Sequence, residues 1–178
     1  MNRRSPVIFT VGHSTRSFDE LVEILRAHGI ERLVDVRTIP RSRTNPQFNR
    51  ETLSKALRNR RLSYRHMKSL GGLRKARSDS INTGWHNASF RGFADYMLTP
   101  SFGAALERLL KLAEQKPTAI MCAEAVPWRC HRSLIADALT ARGYEVRDIM
   151  SVTSSKLHIL MPMARVYGQQ VTYPLDVR

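Results

Sequence analysis

A chain of 178 residues with 42% hydrophobic content is an ordinary soluble globular composition, with enough length for one domain and a full core. No apolar run is long enough to span a bilayer, so no membrane role is expected. The formal charge is +14, and it is concentrated: ten arginines and three lysines between Arg37 and Arg77 face one acid, Glu51, for a net +12, leaving +2 elsewhere. That distribution suits a surface facing an anionic ligand such as nucleic acid; a merely solvated Arg-rich face is the plainer alternative.

The N-terminus opens with Arg3 and Arg4, and only Val7 to Val11 is apolar before polar residues return. That is too short for a secretory signal core, so a cytoplasmic protein is expected. The two cysteines, Cys122 and Cys130, are accordingly expected to be reduced, although one disulfide is arithmetically possible.

Val7 to Val11 reads as a buried strand ending in Gly12-His13-Ser14-Thr15. Ser17 and Glu20 form a capping-box pattern for a helix that Gly29 ends, with Phe18, Leu21, Val22, Ile24 and Leu25 inward. Arg32 to Arg37 is a second strand, and strand–helix–strand with short links predicts a right-handed crossover and parallel pairing. Thr38 to Arg50 is a polar loop. Glu51 to Arg60 suits a helix, and Leu62 to Met67 alternates as a third strand. Ser69 to Arg91 lacks clear periodicity, and structureless stretches of that length are usually functional or mobile. Helix follows from Gly92 to Met97 and, after Thr99-Pro100, from Phe102 to Glu114. A buried strand begins at Thr118, a helix runs from Ser133 to Arg142, and Tyr144 to Met150 reads as a fifth strand. Lys156 to Pro162 is either a sixth strand or part of a tail. The expected architecture is a single α/β domain with a mainly parallel sheet of about five strands flanked by helices. Its core spans 7–149, a basic loop-rich insert covers 37–91, and a C-terminal tail covers 150–178.

Open parallel sheets bind ligands beyond the carboxyl ends of their strands. Three strands here end in unusual polar residues: Gly12, His13 and Ser14 on the first, Asp35 and Arg37 on the second, Cys122 and Glu124 on the central one. If these strands are parallel, the groups share one edge. His13 can move a proton or touch an anion; a loop hydrogen bond is its simpler use. Asp35, between two valines, is either a site carboxylate or half of a buried Asp–Arg pair. Glu124 is the favoured base or nucleophile, against a salt bridge to Arg129 or Arg132. Cys130-His131-Arg132 opens a helix whose N-terminal amides attract anions and lower a thiol pKa. Cys122 and Arg129 are separated by one residue more than in the Cys-x5-Arg loop of cysteine phosphatases, so that mechanism is not expected. Zinc on Cys122, Cys130 and His131 lacks both a paired-cysteine spacing and a fourth ligand, and nothing in the sequence requires a cofactor. The loops add Arg41, Arg43, Asn45, Gln47 and Asn49, then Trp85, Asn87 and Arg91, a mixture suited to stacking on bases and holding phosphate, with Phe48 and Phe90 as stacking or anchoring rings.

Thr10-Val11-Gly12-His13-Ser14-Thr15, Val34-Asp35-Val36-Arg37, Asn45-Pro46-Gln47-Phe48-Asn49 and Met121-Cys122-Ala123-Glu124 with Pro127 and Cys130-His131-Arg132 resemble the domain of unknown function 488 family. The resemblance runs from about Val7 to Ile149. It implies a small bacterial or archaeal cytoplasmic α/β protein and brings no reaction, substrate or cofactor with it. The expected function is an enzyme, a hydrolase or group transferase, acting on a phosphate-bearing substrate such as a nucleotide or nucleic acid. Glu124, Asp35, His13, His131, Cys122 and Cys130 are the candidate chemical groups. Gly12, Ser14, Thr15, Arg37, Arg41, Arg129 and Arg132 lead the candidate binding groups. The alternatives are a nucleic-acid-binding module without chemistry, and a small-anion sensor with a protein partner.

Overall fold

The computed structural model describes residues 5–176; Arg3 and Arg4 lie outside the described residues. One six-stranded sheet organises the chain, in the order β3-β2-β4-β1-β5-β6. Its strands are β1 (Ile8–Gly12), β2 (Arg32–Asp35), β3 (Ser63–His66), β4 (Thr118–Cys122), β5 (Val146–Ser151) and β6 (Ser154–Leu157). The first five pair in parallel, and β6 adds an antiparallel edge that turns straight back from β5. The sheet therefore has six strands where the sequence suggested about five.

The helices are α1 (Phe18–Ala27), α2 (Arg50–Asn59), α3 (Ala88–Tyr96), α4 (Pro100–Gln115) and α5 (Arg132–Ala141). The Ser17–Glu20 capping box forms as read, satisfying two N-terminal amide donors of α1. Helices α1 and α2 pack their Leu-rich faces on one side of the sheet. Helices α3, α4 and α5 pack on the other. The period-2 alternation of β4 divides its residues between these cores: Ala119 and Met121 face one, Ile120 and Cys122 the other. No helix among the described residues is long and apolar enough to cross a membrane.

Residues 150–176 do not trail from the domain. A hairpin of β7 (Arg165–Tyr167) and β8 (Gln170–Thr172) lies near α5 and delivers Val171 and the fully buried Tyr173 to the core. Sequence pattern alone missed this because the segment's own strands are only three residues long. The segment between Ser69 and Asn87 is likewise pinned. Asp95, buried on α3, accepts from Arg77 N, Ser80 Oγ and Asn82 Nδ2, and Asn82 in turn accepts from Tyr173 N.

A buried polar network closes the far side of the sheet. His158 sits between Asp137 of α5 (2.7 Å) and Asp148 of β5 (3.1 Å). Tyr173 Oη donates to Asp137 at 2.7 Å and Thr10 Oγ1 to Asp148 at 2.6 Å. Burial alone would lower the His158 pKa, but the hydrogen bonds and charges of Asp137 and Asp148 outweigh it and raise it to about 9. Protonated His158 thus favours the folded state. Its contribution is complete below the unfolded value near pH 6.5 and is lost as pH rises through about 9. Urea unfolding should show stability falling by on the order of 3 kcal/mol across that window; a stability independent of pH from 6.5 to 10 would refute the network's charge assignment.

Candidate functional site

The carboxyl ends of β1, β2 and β4 lie side by side, because β4 is inserted between β1 and β2. The chain beyond β1 continues alongside the chain beyond β4: His13 N donates to Cys122 O and Ser14 N to Ala123 O. Ser14 occupies the left-handed region with φ of 49°, which turns the backbone off the strand. Gly12 makes the approach possible, since a Cβ there would fall 1.7 Å from Glu124 O.

A cavity of about 640 Å³ opens over this edge. It gathers His13, Ser14 and Thr15 from the first strand end, Arg37 from the second, Arg41 and Asn45 from the basic loop, and Cys122, Glu124, Arg129, Cys130 and His131 from the segment after β4. Of the residues read as sharing one edge, His13, Ser14, Arg37, Cys122 and Glu124 meet here, while Gly12 and Asp35 do not line the cavity. Glu124 reaches it from a bend past the end of β4, not from the strand itself.

Several of these groups are fully engaged. Asp35 is completely buried and does not line the cavity. It accepts from Arg37 Nε (2.9 Å), Nη2 (2.7 Å) and N (3.1 Å), and from Tyr64 Oη (2.5 Å). Burial first, then the Asp35 charge, pushes the Tyr64 hydroxyl well above its usual pKa, so it stays a donor. Arg37 also donates Nη2 to Phe48 O and Nη1 to His13 Nε2 at 3.3 Å. Of its five N–H groups, one is left for a ligand. His13 donates Nδ1–H to Ser14 O (2.8 Å) and stacks on Phe48 with ring centroids 4.3 Å apart. Burial lowers its pKa, the Ser14 carbonyl opposes this, and the Arg37 charge lowers it further. Its Nε2 lone pair faces Arg37. The Asp35–Arg37–His13 chain therefore fixes one guanidinium.

Arg132 was read as a phosphate ligand, and the structure places it elsewhere. It is wholly buried and stitches the rim from beneath. Nη1 donates to Cys122 Sγ (2.7 Å) and Glu124 O (2.5 Å), Nη2 to Ala125 O (3.0 Å), and Nε to Thr10 Oγ1 (3.3 Å). Burial brings its pKa down to about 10. The loop residues divide similarly. Gln47 donates to Arg16 O, Asn49 accepts from Ser42 N, Asn87 caps α3, and Arg91 is held by Trp85 O. Trp85 is a core residue against Tyr173 and Phe90, and exposed Arg43 does not line the cavity.

The unengaged groups are fewer. Arg41, Arg129 and Glu124 are exposed, and among the described residues none of their side chains has a hydrogen-bond or ion-pair partner. Sequence reading missed Thr38, Ile39 and Leu73, which line the same cavity; Ile39 and Leu73 are more than 60% exposed. The Gly71-Gly72 pair was the available signal, because Gly72 leaves room for the His131 ring and a Cβ there would come within 2.6 Å of Nδ1.

Cys122 and Cys130, expected from the sequence to be reduced, lie with their sulfurs against each other and their Cα atoms 7.2 Å apart, just beyond the span a disulfide bridges without backbone movement. His131 points Nε2 at Val36 O (3.0 Å) and Leu70 O (2.9 Å), so that nitrogen carries the proton and Nδ1 faces Cys130 Sγ at 3.6 Å. Burial lowers its pKa to about 4, against the pull of the two carbonyls. Among the described residues no group of three or more His, Cys, Asp or Glu side chains is arranged to hold a metal ion.

This α/β chain, with its site at the ends of three parallel strands, belongs to the family described as domain of unknown function DUF488, whose model matches residues 17–139. The match spans Asp35, Arg37, Glu124 and the Cys130-His131-Arg132 run, and begins just after the Gly12-His13 turn. No curated protein and no solved structure matches the chain significantly.

Gly12→Ala should force the Glu124 carbonyl away and cost roughly 1–3 kcal/mol or more. Chemical denaturation reads this directly; wild-type stability would mean the two strand ends are not in contact.

Proposed function

We propose that the protein is an enzyme, a hydrolase or group transferase, that holds the phosphate of a nucleotide or nucleic acid in this cavity. What carries the reading is a single coincidence. Two unengaged guanidiniums, Arg41 and Arg129, and the one remaining donor of Arg37 border the same space as an unengaged carboxylate, Glu124. Guanidinium forks match phosphate oxygens, and the Asp35 and His13 contacts pre-set Arg37 for one. Glu124 would accept the proton of the attacking water or hydroxyl while the arginines take up charge on the phosphoryl oxygens. Exposed Ile39 and Leu73 would border the organic part of the substrate. Such substrates are met in the cytoplasm, the location expected from the sequence.

A second reading, nucleic-acid binding without chemistry, is favoured by one observation. Of the thirteen basic residues from Arg37 to Arg77, all but Arg37 and Arg74 are exposed. A face so charged would bind with steep salt dependence, on the order of 10³ in affinity between 50 and 200 mM for several phosphate contacts.

One experiment separates the two. Nucleotides and short RNA and DNA strands are offered to the wild type and to Glu124→Gln, with turnover and binding both measured. Catalysis predicts a loss of on the order of 10² or more in kcat for Glu124→Gln with binding retained. Arg129→Ala and Arg41→Ala should weaken binding. Equal turnover in wild type and Glu124→Gln removes the catalytic assignment, and binding with no product from any substrate favours the second reading.

A further inference from the structure

Arg132 poses a problem of charge that the anion cavity does not solve. The side chain is fully buried, yet among the described residues no carboxylate lies within ion-pair distance of it. Asp148 of β5 and Glu124 of the loop act on it only across space, and Arg16 opposes them. Asp148 is already committed to His158 and Thr10. Every group Arg132 touches is a carbonyl or a hydroxyl, with one exception: the sulfur of Cys122, 2.7 Å from Nη1. A buried cation without an anion is costly, and of its contacts Cys122 Sγ is the group suited to ionise near neutral pH. The neighbouring sulfur has a different partner. Cys130 Sγ faces His131 Nδ1, whose tautomer is fixed because Nε2–H is held by the Val36 and Leu70 carbonyls. Both sulfurs line the 640 Å³ cavity and lie close enough to be joined. A structural staple would need neither the guanidinium on one sulfur nor the imidazole on the other.

We propose that Cys122 and Cys130 are a redox-active pair that undergoes thiol–disulfide exchange with a low-molecular-weight disulfide entering the cavity, Cys122 attacking as a thiolate paired with Arg132 and Cys130 resolving. In the first step Cys122 S⁻ attacks one sulfur of RSSR, forming Cys122–S–S–R and releasing RS⁻. In the second, Cys130 S–H, facing His131 Nδ1, attacks Cys122 Sγ. The Cys122–Cys130 bond forms, and the second RS leaves as the thiol, taking the Cys130 proton. The protein dithiol loses two electrons and RSSR gains them. Oxidation ties the end of β4 to the start of α5 across the loop that carries Glu124 and Arg129. Exchange requires no particular substrate in the cavity, so it stands or falls apart from the phosphate-site reading.

The test uses the full chain and glutathione, and reads thiols only. Reduced wild type titrated with oxidised glutathione should lose both thiols together and end as the internal disulfide, reversibly. Cys130→Ser should stop as a mixed disulfide carrying one glutathione on Cys122. In that variant, iodoacetamide should alkylate Cys122 with a half-maximal rate at least about one pH unit below the ordinary thiol value of 8.5. The thiolate absorbance of reduced wild type, followed against pH, gives the same reading without a variant. A midpoint less than about one pH unit below 8.5 in both measurements, or no internal disulfide at any glutathione ratio, would overturn the proposal.

Discussion

The rim of the candidate site hangs on one guanidinium. Arg132 enters the core from the first turn of α5 and fans its nitrogens to Thr10 on β1, Cys122 at the end of β4, and the carbonyls of Glu124 and Ala125. Those carbonyls belong to a bend that no strand or helix ladder supports, and a buried carbonyl left unpaired would be expensive. Arg132 therefore does for this loop what a sheet does for a strand. Gly12 completes the arrangement by leaving room for the Glu124 carbonyl beside β1. The position of the Glu124 side chain over the cavity follows from where its backbone is held.

Around that rim the polar residues separate into those that set the geometry and those left available. Asp35, Tyr64, His13 and Arg37 form one closed set, with each carboxylate oxygen and each ring nitrogen spoken for. Arg41, Arg129 and Glu124 have no such ties. Such an arrangement holds its anchors in place and leaves its exposed charges without partners, the pattern that a preorganised site for a charged ligand would need. The sulfur pair shares the same space but answers to different partners, Arg132 and His131.

Much of this was legible beforehand, and the reasons for the rest are physical. The Ser17–Glu20 box, the apolar β1, β2 and β4, and the clustering of His13, Arg37 and Glu124 at one edge follow from local pattern and the parallel rule. Arg129 and Arg132 could not be told apart, because both lie in one short polar run. Arg129 lies in the turn before α5 and Arg132 is its first residue, and which of them is buried depends on how the start of α5 meets β1, a non-local fact. Trp85, read as a stacking residue, is core because Tyr173, nearly ninety positions later, covers it. The Asp137–His158–Asp148 network was invisible for the same reason: its members come from α5, the segment after β6, and β5. Asp95 likewise gave no sign that it would order the segment from Arg77 to Asn82.

The claim that most needs checking is that the ends of β1, β2 and β4 make one anion site, with Arg41, Arg129 and Arg37 on one side and Glu124 on the other. A crystal structure of the protein with a nucleoside monophosphate tests it most directly. The account predicts phosphate oxygens within hydrogen-bond distance of Arg37 and of Arg41 or Arg129, inside the cavity and facing Glu124. A phosphate held on the outer basic face of α2, with the cavity empty, would contradict it.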